Sequence, residues 1–172
     1  MSEIRKNAIT LRGNAVSLVG PELKAGDNAP DFTVYEALDK PLTLSDLGDK
    51  VKIFNVIVSV DTPVCDKQTR LFNEKAAELG DGVEIVTLSV DLPFALSRYC
   101  GAAGIDKIKS ASDYKDLSFG PAYGVLIDEF KLLCRAIFVL DSNNIVQYAE
   151  YVSEVSEEPD YDSALEAAKS LI

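Results

Sequence analysis

The 172-residue sequence contains no histidine and no tryptophan, one methionine and only three cysteines. Without histidine the chain cannot form a Ser-His-Asp triad, a Cys-His nucleophile pair or a metal site with histidine ligands. No apolar run is long enough to cross a bilayer, and residues 1–10 are too polar for a signal peptide. We therefore expect a cytoplasmic protein that does not insert into membranes.

Positive charge is also scarce, because 17 Lys and Arg face 28 Asp and Glu, which gives a net charge of −11. This balance disfavours binding to nucleic acids and to anionic membrane surfaces. Neither a GxGxxG turn nor a GxxxxGK[ST] loop is present, so the sequence offers no nucleotide site. The three cysteines form no CxxC pair and have no histidine to complete a zinc site. We expect neither a metal nor another cofactor.

What is present is an alternation of strand-like and helix-like segments over residues 1–172, which is the length of one domain. Two short strands around a Gly13-Asn14 turn predict an N-terminal β-hairpin. Apolar runs then alternate with amphipathic stretches, which indicates an α/β fold with helices on both faces of a sheet. The predicted strands are 9–11, 16–18, 51–58, 83–90, 135–140 and 145–151, and the predicted helices are Pro63–Leu79, a segment from Pro93 through Cys100 toward Gly104, and a segment after Pro159.

Cys65 follows the apolar run 51–58 and falls in the first turn of a predicted helix. Thr62 suits the N-cap and Pro63 suits the first helical position, which puts Cys65 at the third. The free N–H groups and the dipole of a helix N-terminus stabilise a thiolate, and Thr62 can offer its hydroxyl to the sulfur. The alternative interpretation is a small buried cysteine that packs under the helix. The position favours a reactive thiol.

Cys100 lies well along the second predicted helix, whereas Cys65 lies at the start of its own. A disulfide requires the two Cα atoms to approach within about 7 Å, so one of these segments would have to unwind locally. The residues alone leave open whether the two thiols form a bridge.

Cys134 stands at the entry to the apolar strand 135–140, where a small core residue is expected. The adjacent Arg135 would face the opposite side of the strand, and an arginine in that position needs an anionic partner. The Cys65 thiolate is a suitable partner for Arg135, while Arg70 and Arg98 are rival sources of the cation.

Two cysteine-containing segments resemble bacterial thiol peroxidases of the atypical two-cysteine peroxiredoxin type. Residues 59–65 (SVDTPVC) are similar to the S-x-D-T-x-V-C site of that family, and residues 91–100 (DLPFALSRYC) are similar to its second cysteine segment. Further similar segments extend the resemblance over nearly the whole chain, at 14–23, 29–32, 123–125, 135–136, 138–141 and 158–161.

The resemblance implies a thioredoxin-like fold with an N-terminal β-hairpin and a central mixed sheet, in a protein that is usually a homodimer. It implies that peroxide oxidises Cys65, the peroxidatic cysteine, to a sulfenic acid, and that Cys100, the resolving cysteine, then closes an intramolecular disulfide. Thr62 would hydrogen-bond the thiolate and the peroxide, Arg135 would supply the cation, and thioredoxin would reduce the disulfide. The implied function is the reduction of hydrogen peroxide and organic hydroperoxides in antioxidant defence.

The sequence departs from the family pattern at three positions. Val58 replaces a proline in the wall of the substrate pocket, Pro63 replaces a glycine, and Cys134 replaces an alanine. The loss of the proline favours a second hypothesis, a redox-sensing binding protein in which the disulfide changes a protein surface. Repeated turnover with thioredoxin distinguishes the enzyme from the sensor.

Overall fold

Eleven strands and four α-helices are present in the computed structural model, which describes residues 2–172 and leaves Met1 outside the described range. The strands are β1 (Ile4–Leu11), β2 (Asn14–Val19), β3 (Thr33–Ala37), β4 (Lys40–Thr43), β5 (Val51–Val56), β6 (Val83–Ser89), β7 (Lys109–Ser112), β8 (Leu126–Ile127), β9 (Leu132–Leu133), β10 (Ala136–Leu140) and β11 (Val146–Tyr151). The helices are α1 (Pro63–Leu79), α2 (Pro93–Ala103), α3 (Phe119–Ala122) and α4 (Tyr161–Lys169). None of the helices in this range is both long and apolar enough to cross a membrane.

The central sheet has seven strands in the order β11-β10-β5-β6-β7-β3-β4. Strands β5, β6 and β7 run parallel, and the other neighbours in this sheet pair antiparallel. The mixed sheet expected of a thioredoxin-like fold is therefore confirmed. All six residues of β5 are buried, as its apolar sequence predicts for a strand that is covered on both faces.

Helices cover both faces of the central sheet, as predicted, but they do so unequally. Helices α1 and α4 pack on the face that carries Ile53, Ile85 and Val139. Helix α2 lies on the same face, where the Cys100 sulfur contacts the Ser110 hydroxyl of β7 at 3.3 Å. The opposite face is covered mainly by a second sheet, in the order β1-β2-β8-β9, together with the four-residue helix α3.

The N-terminal hairpin is longer than predicted, and its turn lies one residue earlier than Gly13-Asn14. Leu11 pairs with Asn14 across the ladder, so Arg12 and Gly13 form the two-residue loop. The φ angles of these two residues, 51° and 79°, are both positive, as a type I′ hairpin turn requires. Asn14 is therefore the first residue of β2.

The boundaries of α1 agree with the prediction, and Gly80 follows the helix with a φ of 72°. Strand β5 ends at Val56, two residues before its predicted boundary, because the chain there bends into the loop that leads to α1. Ile57 keeps one bond to the sheet, from its N–H to the carbonyl of Leu88 at 2.9 Å. Val58 therefore lies in the loop and not in the strand.

Candidate active site

Cys65 is the third residue of α1, in the position that the sequence predicts. Thr62 precedes the helix with an extended backbone (φ −108°, ψ 142°), and Pro63 starts it. The Cys65 side chain has no exposed surface and packs with Val60 and Leu96. Backbone N–H groups in a first helical turn have no acceptor within the helix, so they present donors and positive potential beside the sulfur.

Arg135 contacts the sulfur directly. Its Nη1 donates to the Cys65 Sγ at 3.3 Å and to the Gln68 Oε1 at 2.8 Å, while its Nε donates to the carbonyl of Val155 at 2.9 Å. The Arg135 side chain is 2% exposed, so the charge acts with little screening by water. A cation at this distance stabilises a thiolate more than a neutral thiol.

The two rival arginines lie elsewhere. Arg70 is exposed, pairs with the Asp66 carboxylate at 2.8 Å and donates to the carbonyl of Ala103 at 3.2 Å. Arg98 is exposed on α2. Of the three arginines that the sequence left open, Arg135 is the one that reaches Cys65.

The Thr62 hydroxyl does not contact the Cys65 sulfur, which corrects the expectation from the sequence. It donates to the carbonyl of Ser59 at 3.0 Å, and the Thr62 N–H donates to the same oxygen at 3.2 Å. Both donors of Thr62 therefore close the turn that precedes α1. Thr62 still lines the cavity beside Arg135.

Asp91 fixes the loop before α1, a role that was not predicted from the sequence. Its carboxylate accepts from the Ser59 hydroxyl at 2.8 Å, the Val60 N–H at 3.0 Å and the Ser89 hydroxyl at 2.8 Å. Asp91 follows β6 and precedes α2, so one carboxylate ties the Cys65 loop to the end of the neighbouring parallel strand. Short polar residues directly after both strands were the available signal.

A cavity of about 150 Å³ opens beside the first turn of α1. Its walls are mostly apolar, and Val58 forms one of them, as the family resemblance implies. The lining residues are Leu11, Arg12, Val58, Thr62, Pro63, Val64, Arg135, Val155 and Ser156. A liquid water molecule occupies about 30 Å³, so the cavity has room for several atoms beyond a hydrogen peroxide molecule.

Cys100 lies near the end of α2, half-buried, with its sulfur 3.3 Å from the Ser110 hydroxyl. It lines a larger cavity, of about 440 Å³, that does not include Cys65. The preceding Tyr99 donates from its hydroxyl to the Asp66 carboxylate of α1 at 2.7 Å, and burial together with Asp66 raises the pKa of Tyr99. All three cysteines are free thiols. The two thiols that were singled out therefore face different surroundings.

Cys134 lies between β9 and β10 with no exposed surface, in the core on the far side of the central sheet from α1. Its N–H donates to the carbonyl of Val125 at 2.8 Å. Burial raises the pKa of the Cys134 thiol to about 12. The predicted core position is confirmed, and Cys134 faces away from Arg135's contact with Cys65.

Gln68 and Asn55, which were not predicted from the sequence, continue the contacts of Arg135 into the central sheet. Gln68 lies three residues after Cys65 on α1, and its amide donates to the Asn55 side chain of β5. Both side chains are fully buried. An asparagine within the apolar run 51–58 was the signal for a polar network at this place, because buried amides need partners.

The chain is similar to proteins of one family over nearly its whole length. The redoxin family matches residues 24–165. A thiol peroxidase of Bacillus subtilis is 56% identical over 164 residues, which cover 95% of this chain and 98% of that protein. A thiol peroxidase of Halalkalibacterium halodurans is 54% identical over 165 residues, which cover 96% and 99%. The crystal structure of a peroxiredoxin-like protein from Aquifex aeolicus has a TM-score of 0.88 and 38% identity, and the match covers 98% of this chain and 99% of that one.

Proposed function

Because the chain belongs to the redoxin family and, within it, to the thiol peroxidases, we propose a catalytic cycle carried by Cys65 and Cys100. Thiol peroxidases are oxidoreductases of the peroxiredoxin type. Cys65 reduces hydrogen peroxide and organic hydroperoxides, Cys100 resolves the product as an intramolecular disulfide, and thioredoxin restores both thiols. The observation that carries this proposal is the contact of 3.3 Å between Arg135 Nη1 and Cys65 Sγ at a helix N-terminus.

In the first step the Cys65 thiolate attacks one peroxide oxygen. The S–O bond forms while the O–O bond breaks, which leaves a sulfenic acid on Cys65 and an alkoxide or hydroxide that takes a proton. Arg135 and the N–H groups of the first turn of α1 stabilise the negative charge as it moves from sulfur to the leaving oxygen. Peroxide would approach through the cavity lined by Val58, Thr62 and Arg135, because Arg135 borders both this cavity and the buried sulfur.

In the second step the Cys100 sulfur attacks the Cys65 sulfenic sulfur, so that the S–S bond forms and water leaves. With the thiols reduced, the Cys100 sulfur contacts the Ser110 hydroxyl. The Tyr99 hydroxyl binds the Asp66 carboxylate and so holds this turn of α2 against α1. Disulfide formation therefore requires the end of α2 or the first turn of α1 to open. Opening at helix ends is a low-energy motion compared with global unfolding.

In the third step a dithiol of thioredoxin exchanges with the disulfide, which returns Cys65 and Cys100 to thiols and leaves thioredoxin oxidised. We place this cycle in the cytoplasm, where thioredoxin is kept reduced and a structural disulfide is uncommon. We also propose that the functional unit is a homodimer, as the family resemblance implies. The role that we propose for the cycle is antioxidant defence.

The deciding experiment measures peroxide consumption over many turnovers with thioredoxin, thioredoxin reductase and NADPH. We expect steady NADPH oxidation by the wild type and none by Cys65→Ser, because a neutral hydroxyl cannot replace a thiolate nucleophile. Stoichiometric oxidation followed by arrest, with thioredoxin present, would instead support the redox-sensing protein that the valine at position 58 suggested. A Cys65→Ser variant within a few-fold of the wild type would refute both.

A further inference from the structure

A chain of buried polar side chains runs from the active site into the central sheet. Arg135 donates to the Gln68 Oε1 at 2.8 Å, and the Gln68 amide donates to the Asn55 Oδ1. The Asn55 amide donates in turn to the hydroxyls of Thr69 at 3.2 Å and Thr87 at 3.0 Å. All five side chains are at most 2% exposed, so water cannot replace a missing partner in this chain.

The chemistry of arginine sets the direction of every bond in this network. A guanidinium carries only donors, so Gln68 must present its oxygen to Arg135 and its NH2 group to Asn55. Asn55 must then present its oxygen to Gln68 and its own NH2 group to the threonine hydroxyls. A carboxylate at position 68 could accept from Arg135 but could not donate to Asn55, and an apolar side chain could do neither.

The same nitrogen of Arg135 serves both Gln68 and Cys65. Nη1 carries two hydrogens, and its two acceptors are the Gln68 oxygen and the Cys65 sulfur. Nε is bound to the carbonyl of Val155 at 2.9 Å. With Nε held on one side and Nη1 on the other, the plane of the guanidinium is fixed.

We propose that Gln68 is a positioning residue, whose amide holds the Arg135 guanidinium in contact with the Cys65 sulfur. The proposal rests on the proposed peroxidase function and adds a residue to its machinery. Gln68 lies one helical turn after Cys65 on α1, so the thiol and the group that orients its cation move together. The Asn55 bond anchors this arrangement to β5.

Two substitutions separate orientation from packing. In Gln68→Glu the carboxylate forms an ion pair with the guanidinium of Arg135 and competes with the sulfur for it. The carboxylate also has no hydrogen to donate to the Asn55 oxygen. We therefore expect Arg135 to move away from the sulfur. In Gln68→Met the volume is nearly kept, but Nη1 loses one acceptor and the guanidinium can rotate about Nε. We expect hydrogen peroxide to oxidise both variants about tenfold more slowly than the wild type.

The test uses the full-length protein and two readouts. The first is the rate of a single turnover with hydrogen peroxide. The second is the ultraviolet absorbance of the thiolate against pH, taken as the difference between each variant and the same variant carrying Cys65→Ser. Cys100 and Cys134 are present in both members of each pair, so their absorbance cancels from this difference. Asn143→Asp is the matched control, since it makes an amide-to-carboxylate change in an exposed hairpin turn.

The proposal predicts that the midpoint of the thiolate absorbance moves upward by about one pH unit in Gln68→Glu and Gln68→Met, and not in Asn143→Asp. A lower melting temperature with an unmoved midpoint and an unchanged oxidation rate would overturn it and leave a structural role. If Gln68→Glu does not fold, Gln68→Met decides alone. A wild type without thioredoxin-dependent turnover would refute the proposed function, whereas the absorbance readout would still judge Gln68.

Discussion

The Nη1 of Arg135 lies 3.3 Å from the sulfur of Cys65, although 70 positions separate the two residues in sequence. The pairing of two central strands explains this contact. β10 runs antiparallel to β5, with Ala136 opposite Val56, the last residue of β5. Arg135 therefore enters the sheet beside the loop from which α1 starts. A sheet register thus places a buried cation against a thiol at a helix N-terminus.

Removal of that cation should slow peroxide attack. We expect Arg135→Met to reduce the single-turnover rate with hydrogen peroxide by more than about tenfold, because the charge-assisted donor to the sulfur is lost. The protein should also lose about 1–3 kcal/mol of unfolding free energy, since the Gln68 oxygen is left buried without its donor. Stopped-flow oxidation and urea unfolding measure the two effects. Arg98→Met, on an exposed position of α2, is the control and should change neither.

Loss of the second thiol should stop the cycle after one turn. We expect Cys100→Ser to consume about one peroxide per chain and then accumulate sulfenic or overoxidised Cys65. Mass spectrometry of the peptide that contains Cys65 detects either product. Oxidised wild type should also run as a monomer on a non-reducing denaturing gel, because the proposed bridge lies within one chain. A disulfide-linked dimer through Cys65 and Cys100 would contradict the intramolecular bridge.

Restoring the family's proline at position 58 should be tolerated. Val58 lies in the loop after β5, and within residues 2–172 its N–H donates no hydrogen bond that a proline would remove. Arg135 and the first turn of α1 are unchanged, so the main electrostatic contributions persist. We expect Val58→Pro to keep or raise the peroxidase rate in steady-state assays. A folded but inactive variant, judged by circular dichroism, would show that this cavity works differently from the family pocket.

Cys134 should affect stability at high pH but not catalysis. Burial raises the pKa of its thiol from the ordinary 9.0 to about 12. The unfolded chain therefore loses this proton at lower pH than the folded chain. The contribution of Cys134 to the free energy of unfolding is complete below about pH 9 and falls by about 1.4 kcal/mol per pH unit as the pH rises toward 12. Thermal unfolding of Cys134→Ala should lack this share of the pH dependence. Its thioredoxin-dependent turnover should stay close to that of the wild type, and a complete loss would refute a core role.

Local pattern explains which elements the sequence could predict. α1 was predicted from Pro63 to Leu79 because its cap, its first-turn proline and its terminal glycine lie within the segment itself. Strands β3, β4, β7, β8 and β9 were not predicted. For β8 and β9 the reason is their length, since strands of two residues carry no alternation that could identify them. β8 is a strand because it pairs with β2, which lies far earlier in sequence, and β9 is a strand because it pairs with β8.

The position of the turn in the N-terminal hairpin also depended on strand pairing, and the prediction was wrong by one residue. Gly13 signalled a turn, but the choice between Arg12-Gly13 and Gly13-Asn14 depends on which residues pair across the ladder. The pairing of Leu11 with Asn14 decided it. Register is set by the burial of one strand face, which is a tertiary property.

Local signals were enough to predict that Cys65 lies in the first turn of a helix after a buried strand, because caps and apolar runs depend only on neighbouring residues. The apolar segment around Cys134 likewise predicted that it is a core residue. The tertiary structure alone decided that Arg135, and not Arg70 or Arg98, contacts Cys65, and that the Thr62 hydroxyl binds the turn before α1. A contact between distant residues follows from strand register and helix packing, and neither is encoded in the spacing of residues along the chain.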